Sequence, residues 1–131
     1  MGDRGNIVVI DNEQKVFLYA HWKGCDLPDI AQRALNRGRG RWNDPAYLTR
    51  IIFCDMIGND LKGESGYGIS PFIQDNEYPL LVVNCDKQEV YAEAIGRFEI
   101  RGEGKSYSFE DFSKLQDASW RVYASSFRFA S

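Results

Sequence analysis

Apolar residues in this chain recur at two different periods, and the switches between them restrict the fold more than any other feature. Residues 6–10 and 15–22 are β-rich runs around Asp11-Asn12-Glu13-Gln14, a tetrapeptide of turn-forming residues, and together they predict a hairpin. In the second run Val16, Leu18 and Ala20 alternate with Phe17, Tyr19 and His21, so the aliphatic set is expected to face the core. From Leu27 to Met56 the period lengthens to about 3.6. Leu27, Ile30, Ala31, Ala34 and Leu35 predict one helix, opened by Asp26 with Pro28 in its first turn and ending near Asn36. Tyr47, Leu48, Ile51, Ile52, Cys54 and Met56 predict a second, opened by Asp44-Pro45 and stopped near Gly58.

At Tyr67 the period returns to two. Residues 67–73, 78–84, 89–94 and 97–101 read as strands joined by short turns, an antiparallel meander. The run Leu80-Leu81-Val82-Val83 is apolar without a break, which places its strand near the centre of the sheet, covered on both faces. Ser108 with Asp111 resembles a capping box opening a short helix through Phe112 and Leu115, and Trp120, Val122, Tyr123, Phe127 and Phe129 form a last apolar segment, an edge strand or docked tail. The expected fold is a single α+β domain over residues 1–131. Its antiparallel or mixed sheet has about five to six strands, with two main helices inserted after the first hairpin and a short C-terminal helix.

Bulk composition narrows the class of function. A chain of 131 residues, 44% hydrophobic, builds one ordinary core. A net charge of −3 and an isoelectric point near 5.2 argue against duplex nucleic acid as a partner. No leader-like opening, bilayer-length apolar run or myristoylation signal is present, so a soluble cytoplasmic protein is expected. Cys25, Cys54 and Cys85 are too widely spaced for a metal knuckle or a disulfide framework, and no metal or cofactor is expected.

Against this acidic background, Arg33, Arg37, Arg39 and Arg41 form a basic island with Trp42 and no acidic neighbour between Ile30 and Asn43. Forked guanidiniums beside a flat indole suit an anionic guest with a stackable face, such as a nucleotide. Arg37 can also serve only the negative pole of its helix, whereas Arg39 and Arg41 lie beyond the helix and lead to a second helix N-terminus. Asp44 opposes an anion there, since a capping carboxylate would occupy the free N–H groups. His21, Trp22 and Lys23 close the second strand with a titratable ring, an aromatic plate and a cation, and Tyr67 follows a glycine-punctuated loop that lets a ligand or another backbone approach. The candidate ligand-binding set is therefore His21, Trp22, Lys23, Arg37, Arg39, Arg41, Trp42 and Tyr67.

Catalytic signatures are weak. His21 with Cys25 and Asp26 has the residue types of a thiol nucleophile and its base, without a spacing that brings them together. The Gly63–Ser70 stretch lacks the Walker lysine and the dinucleotide fingerprint, and Asp75-Asn76-Glu77 reads as a turn rather than as paired catalytic carboxylates.

The strings Asn6-Ile7-Val8-Val9, Val16-Phe17-Leu18-Tyr19-Ala20-His21-Trp22, Arg39-Gly40-Arg41-Trp42 with Asp44, Tyr47-Leu48-Thr49-Arg50-Ile51-Ile52 and Gly66-Tyr67-Gly68-Ile69-Ser70 resemble small accessory proteins of bacteria and their phages over about residues 4–84. The resemblance transfers no activity residue by residue. It implies a protein that sequesters a nucleotide-derived signal, in an anti-defence role, or one that binds and inhibits a host protein through an Arg/aromatic surface. A small nucleotide hydrolase using His21 is the enzymatic alternative. A homodimer is also expected, with the aromatic tail from Trp120 to Phe129 as a candidate interface.

Overall fold

The structure, a computed structural model, describes residues 3–94, 98–100, 105–121 and 127–129. The chain is α+β, as the change of period predicts. Strands β1 (Gly5–Asp11) and β2 (Gln14–Ala20) form the first hairpin, with Asn12 and Glu13 at positive φ in its turn. Asp86 accepts hydrogen bonds from both turn N–H groups, at 2.7 and 3.0 Å, and so fixes the turn to the later half of the chain. Helices α1 (Leu27–Arg37) and α2 (Pro45–Ile57) follow, then β3 (Tyr67–Ser70), β4 (Leu80–Asn84) and β5 (Glu89–Glu93). Beyond them lie β6 (Phe98–Ile100), β7 (Ser106–Ser108), α3 (Phe109–Ser113) and β8 (Phe127–Phe129).

The main sheet has six strands in the order β3-β2-β1-β4-β5-β7. Its strands after the helices are not the simple meander expected. β3 returns to β2, and the chain then crosses to place β4 parallel to β1, with Ile7 opposite Leu81 and Ile10 opposite Asn84. The remaining pairings are antiparallel. The strand predicted over residues 67–73 stops at Ser70 because Pro71 cannot continue the ladder. The strand around residue 99 joins β8 in a separate two-stranded sheet, while the adjoining residues 97 and 101 lie outside the described residues. Ser106–Ser108, which carries no strong strand pattern, forms the far edge of the main sheet. Residues Val122 and Tyr123 of the predicted final segment also lie outside the described residues.

Both faces of β4 are buried, as its unbroken apolar run requires. On one face Ile7, Val9, Leu18, Ala20, Leu81 and Val83 pack against α1, α2 and α3 through Ile30, Leu35, Leu48, Ile52, Met56 and Phe112. On the other face Val8, Leu80 and Val82 form a second cluster with Ile10, Phe17 and Tyr91. The β3–β4 crossover is tied down by Asn6, which is fully buried. Its Nδ2 donates to the carbonyls of Gln74 and Asp75 and to Asn76 Oδ1, and its Oδ1 accepts from the Gln74 N–H. Among the described residues no helix is long and apolar enough to cross a membrane.

Candidate functional site

The predicted ligand residues separate into two groups. Lys15 and Val16 of β2 share a cavity wall with Pro45 and Ala46, while Lys23 Nζ, just past the other end of β2, donates to Met56 O at 2.9 Å. The two strand ends therefore lie at opposite ends of α2, a 13-residue helix about 20 Å long. His21, Trp22, Lys23 and Tyr67 gather at its C-terminal end. Arg41 sits at its N-terminal end, and Arg37 reaches it farther along, at Ile51 and Asp55.

In the first group His21 and Trp22 meet edge to face at 5.2 Å, Trp22 and Tyr67 at 6.2 Å, and Lys23 Nζ stands 5.4 Å above the Tyr67 ring. His21 Nδ1 and the Tyr19 hydroxyl are 2.8 Å apart, and the His21 N–H donates to Gly66 O. Gly66 is required here: its φ is +98°, and a Cβ would stand 2.1 Å from Trp22 Cζ3. Trp22 nevertheless remains 52% exposed. The glycine-rich approach to Tyr67 thus makes room for a side chain of the same molecule.

In the second group every arginine has found an acid. Arg33 pairs with Asp29, Arg37 with Asp55, Arg39 with Glu110 and Arg41 with Asp44, at 3.2, 2.8, 3.0 and 3.2 Å. Sequence reading saw no acidic residue inside the island because three of these partners come from α2, α3 and the residue capping α2. Arg39 is the most engaged: Nη1 donates to both oxygens of Glu110, Nη2 to Asn36 Oδ1 and Ser113 Oγ, and the guanidinium lies 4.7 Å over Trp42. That side-chain hydrogen bond holds the Glu110 carboxyl below its ordinary range. Trp42 is half-buried, its indole donating to Leu35 O at 3.0 Å and its ring edge-on to Phe109, so it joins α1 to α3. Arg41 stacks 5.1 Å over Tyr47, and side-chain exposure of 56% for Arg41 and 55% exposure of Tyr47 leave this pair facing water.

Asp44 does not cap α2 through its side chain, because its carboxylate has turned to Arg41. Beside that first turn opens a cavity of about 320 Å³ whose lining includes Asp11, Asn12, Gln14, Lys15, Ala46 and Thr49. None of the predicted ligand residues lines it. Lys15 was hidden from sequence reading by its place in a hairpin whose other residues read as structural.

The thiol chemistry is set by Asp3. Its Oδ2 accepts from the Cys25 N–H at 3.0 Å and its Oδ1 from the Tyr78 hydroxyl, while Tyr78 stacks on Trp120, whose indole donates to Gly24 O. A side-chain hydrogen bond to Asp3, then burial and the charge of Asp26, push the Cys25 thiol up to about 12. A protonated thiol beside carboxylates is a poor nucleophile, and the described contact of His21 Nδ1 is with Tyr19 rather than Cys25. Asp75 and Glu77 are both bound to Arg4. Among the described residues no group of three His, Cys, Asp or Glu side chains could hold a metal ion. In comparisons with protein-family models, curated proteins and solved structures, the chain matches none.

Proposed function

We propose that the protein is a non-catalytic binding protein that docks on a partner protein through the arginine–aromatic surface around Arg41 and Tyr47. The observation that carries this reading is the stacked, half-exposed Arg41–Tyr47 pair, held in place by Asp44. Arg and Tyr are the residue types that dominate interface energetics, and a guanidinium already ordered by an internal acid loses little freedom on docking. Arg37, half exposed and pinned in the same manner by Asp55, is a second ordered guanidinium against α2. Because each positive charge is partly neutralised, the surface suits a mixed aromatic and acidic protein patch better than a free polyanion. The target proposed is a host protein, bound in an inhibitory role.

The test is capture from bacterial lysate by wild-type protein and by the Arg41→Ala/Tyr47→Ala variant. A partner retained by the wild type and lost by an equally stable variant supports the reading; equal retention overturns it.

A second reading, sequestration of a nucleotide-like anion, is favoured by one arrangement: the cavity beside α2 combines Lys15 with a first turn left uncapped by Asp44. Here a nucleotide raises the melting temperature of the wild type, and Lys15→Ala removes the increase. The Lys15 ammonium replaces the predicted arginines as the central cation of that proposal.

A further inference from the structure

β3 is the outer strand of the six-stranded sheet and, among the described residues, pairs on one side only, with β2. Its hydrogen-bond phase is fixed by the 2.8 Å bond from the His21 N–H to Gly66 O, which makes these two residues a directly bonded pair. Bonded pairs recur at every second position of an antiparallel ladder, so Gly68 bonds Tyr19 and Ser70 bonds Phe17. The N–H and C=O groups of Tyr67 and Ile69 consequently point away from the sheet. Exposed edges are ordinarily blunted by shortness, charges, a bulge or an internal proline; Tyr67-Gly68-Ile69-Ser70 is short, four residues ended by Pro71, but has no charge or proline within it. Ile69 is 61% exposed, and Phe72, just past the strand, is 74% exposed.

We propose that this edge pairs antiparallel with the same edge of a second copy, about a twofold axis through Gly68. The outward-facing residues are two apart, so Tyr67 meets the partner's Ile69 while Ile69 meets the partner's Tyr67, each pair exchanging both main-chain hydrogen bonds. The phase of the strand is thus complementary to itself. Gly68 faces its own copy at the non-bonded position, where the two backbones come closest, and the space about its missing Cβ is empty. Tyr67 and Ile69 share one face, which creates two aromatic–β-branched pairs across the axis. All residues from Ser65 to Pro71 are uncharged, so no like charges oppose each other in this register. Two six-stranded sheets become one continuous sheet. The interface uses neither Arg41 nor Tyr47 and stands independently of the docking surface.

Sedimentation velocity across a concentration series tests the pairing against the monomer mass of 15.0 kDa. The wild type is expected to reach twice that mass. Ile69→Lys removes both aromatic–β-branched pairs and sets two like charges diagonally across the axis on one face, and Ile69→Pro removes an outward N–H while sparing the bonds to β2; both are expected to remain monomeric with unchanged circular dichroism. A wild type that stays monomeric at about millimolar concentration overturns the proposal, as does a dimer that survives both substitutions. If both variants unfold, backbone amide exchange on the wild type decides: slowed exchange at Tyr67 and Ile69 with rising concentration supports the pairing, and concentration-independent exchange overturns it.

Discussion

Asn6 is fully buried and makes four side-chain hydrogen bonds within a strand whose neighbours are aliphatic. Asn6→Leu would fill its volume but strand the Gln74 N–H and the carbonyls of Gln74 and Asp75. The expected loss is about 2–3 kcal/mol of unfolding free energy, read from urea melts. Nothing in the sequence distinguishes this asparagine from a strand-opening residue, because its partners lie far along the chain. Cys25 illustrates the opposite case, an exposed thiol whose proton is held by the neighbouring Asp3 carboxylate. Its alkylation by iodoacetamide at pH 8, followed by peptide mass spectrometry, is expected to be slower than that of a free model thiol. Asp3→Asn should accelerate it by removing the carboxylate that holds the proton.

At the level of elements, the alternating and helical periods foretold the first hairpin and both main helices to within a residue or two, since each pattern directly records which face is buried. Ser108 also caps α3 as predicted, accepting from the Asp111 N–H at 3.0 Å. The parallel β1–β4 pairing was not legible, because strand order depends on where the 71–79 crossover returns, which local patterning does not encode. The site was less legible still: composition marked Arg39 and Trp42 as ligand residues, but Glu110, Ser113 and Phe109 arrive from α3 to engage them. Trp42 therefore acts as a joint between helices. Trp42→Ala is expected to cost about 3 kcal/mol in chemical denaturation, through lost packing and an unpaired Leu35 carbonyl, and to lower stability with or without any ligand.

Across the whole molecule, shifted ionisations predict how stability follows pH. Backbone and side-chain bonds from Arg4 lower Glu77, and the Arg39 hydrogen bond lowers Glu110, relative to an ordinary value of 4.5. Their contributions are present above that value and are lost as pH falls through the lower folded values. Hydrogen bonding to Asp3 raises Cys25, and burial raises Cys85, from 9.0 to about 12 in each case. Those contributions are complete below pH 9 and are lost as pH rises toward the folded values. Melting temperature should therefore be level near neutrality and decline on both sides, with Glu110→Gln weakening the acidic dependence. Glu110 pins Arg39, while Asp44 pins Arg41 beside Tyr47, and the functional account depends on the latter arrangement serving a protein partner. The direct measurement is calorimetric titration of the captured partner into wild-type protein and into Arg41→Ala/Tyr47→Ala. The account predicts affinity at least about tenfold weaker for the folded variant; equal affinity for the two proteins would contradict it.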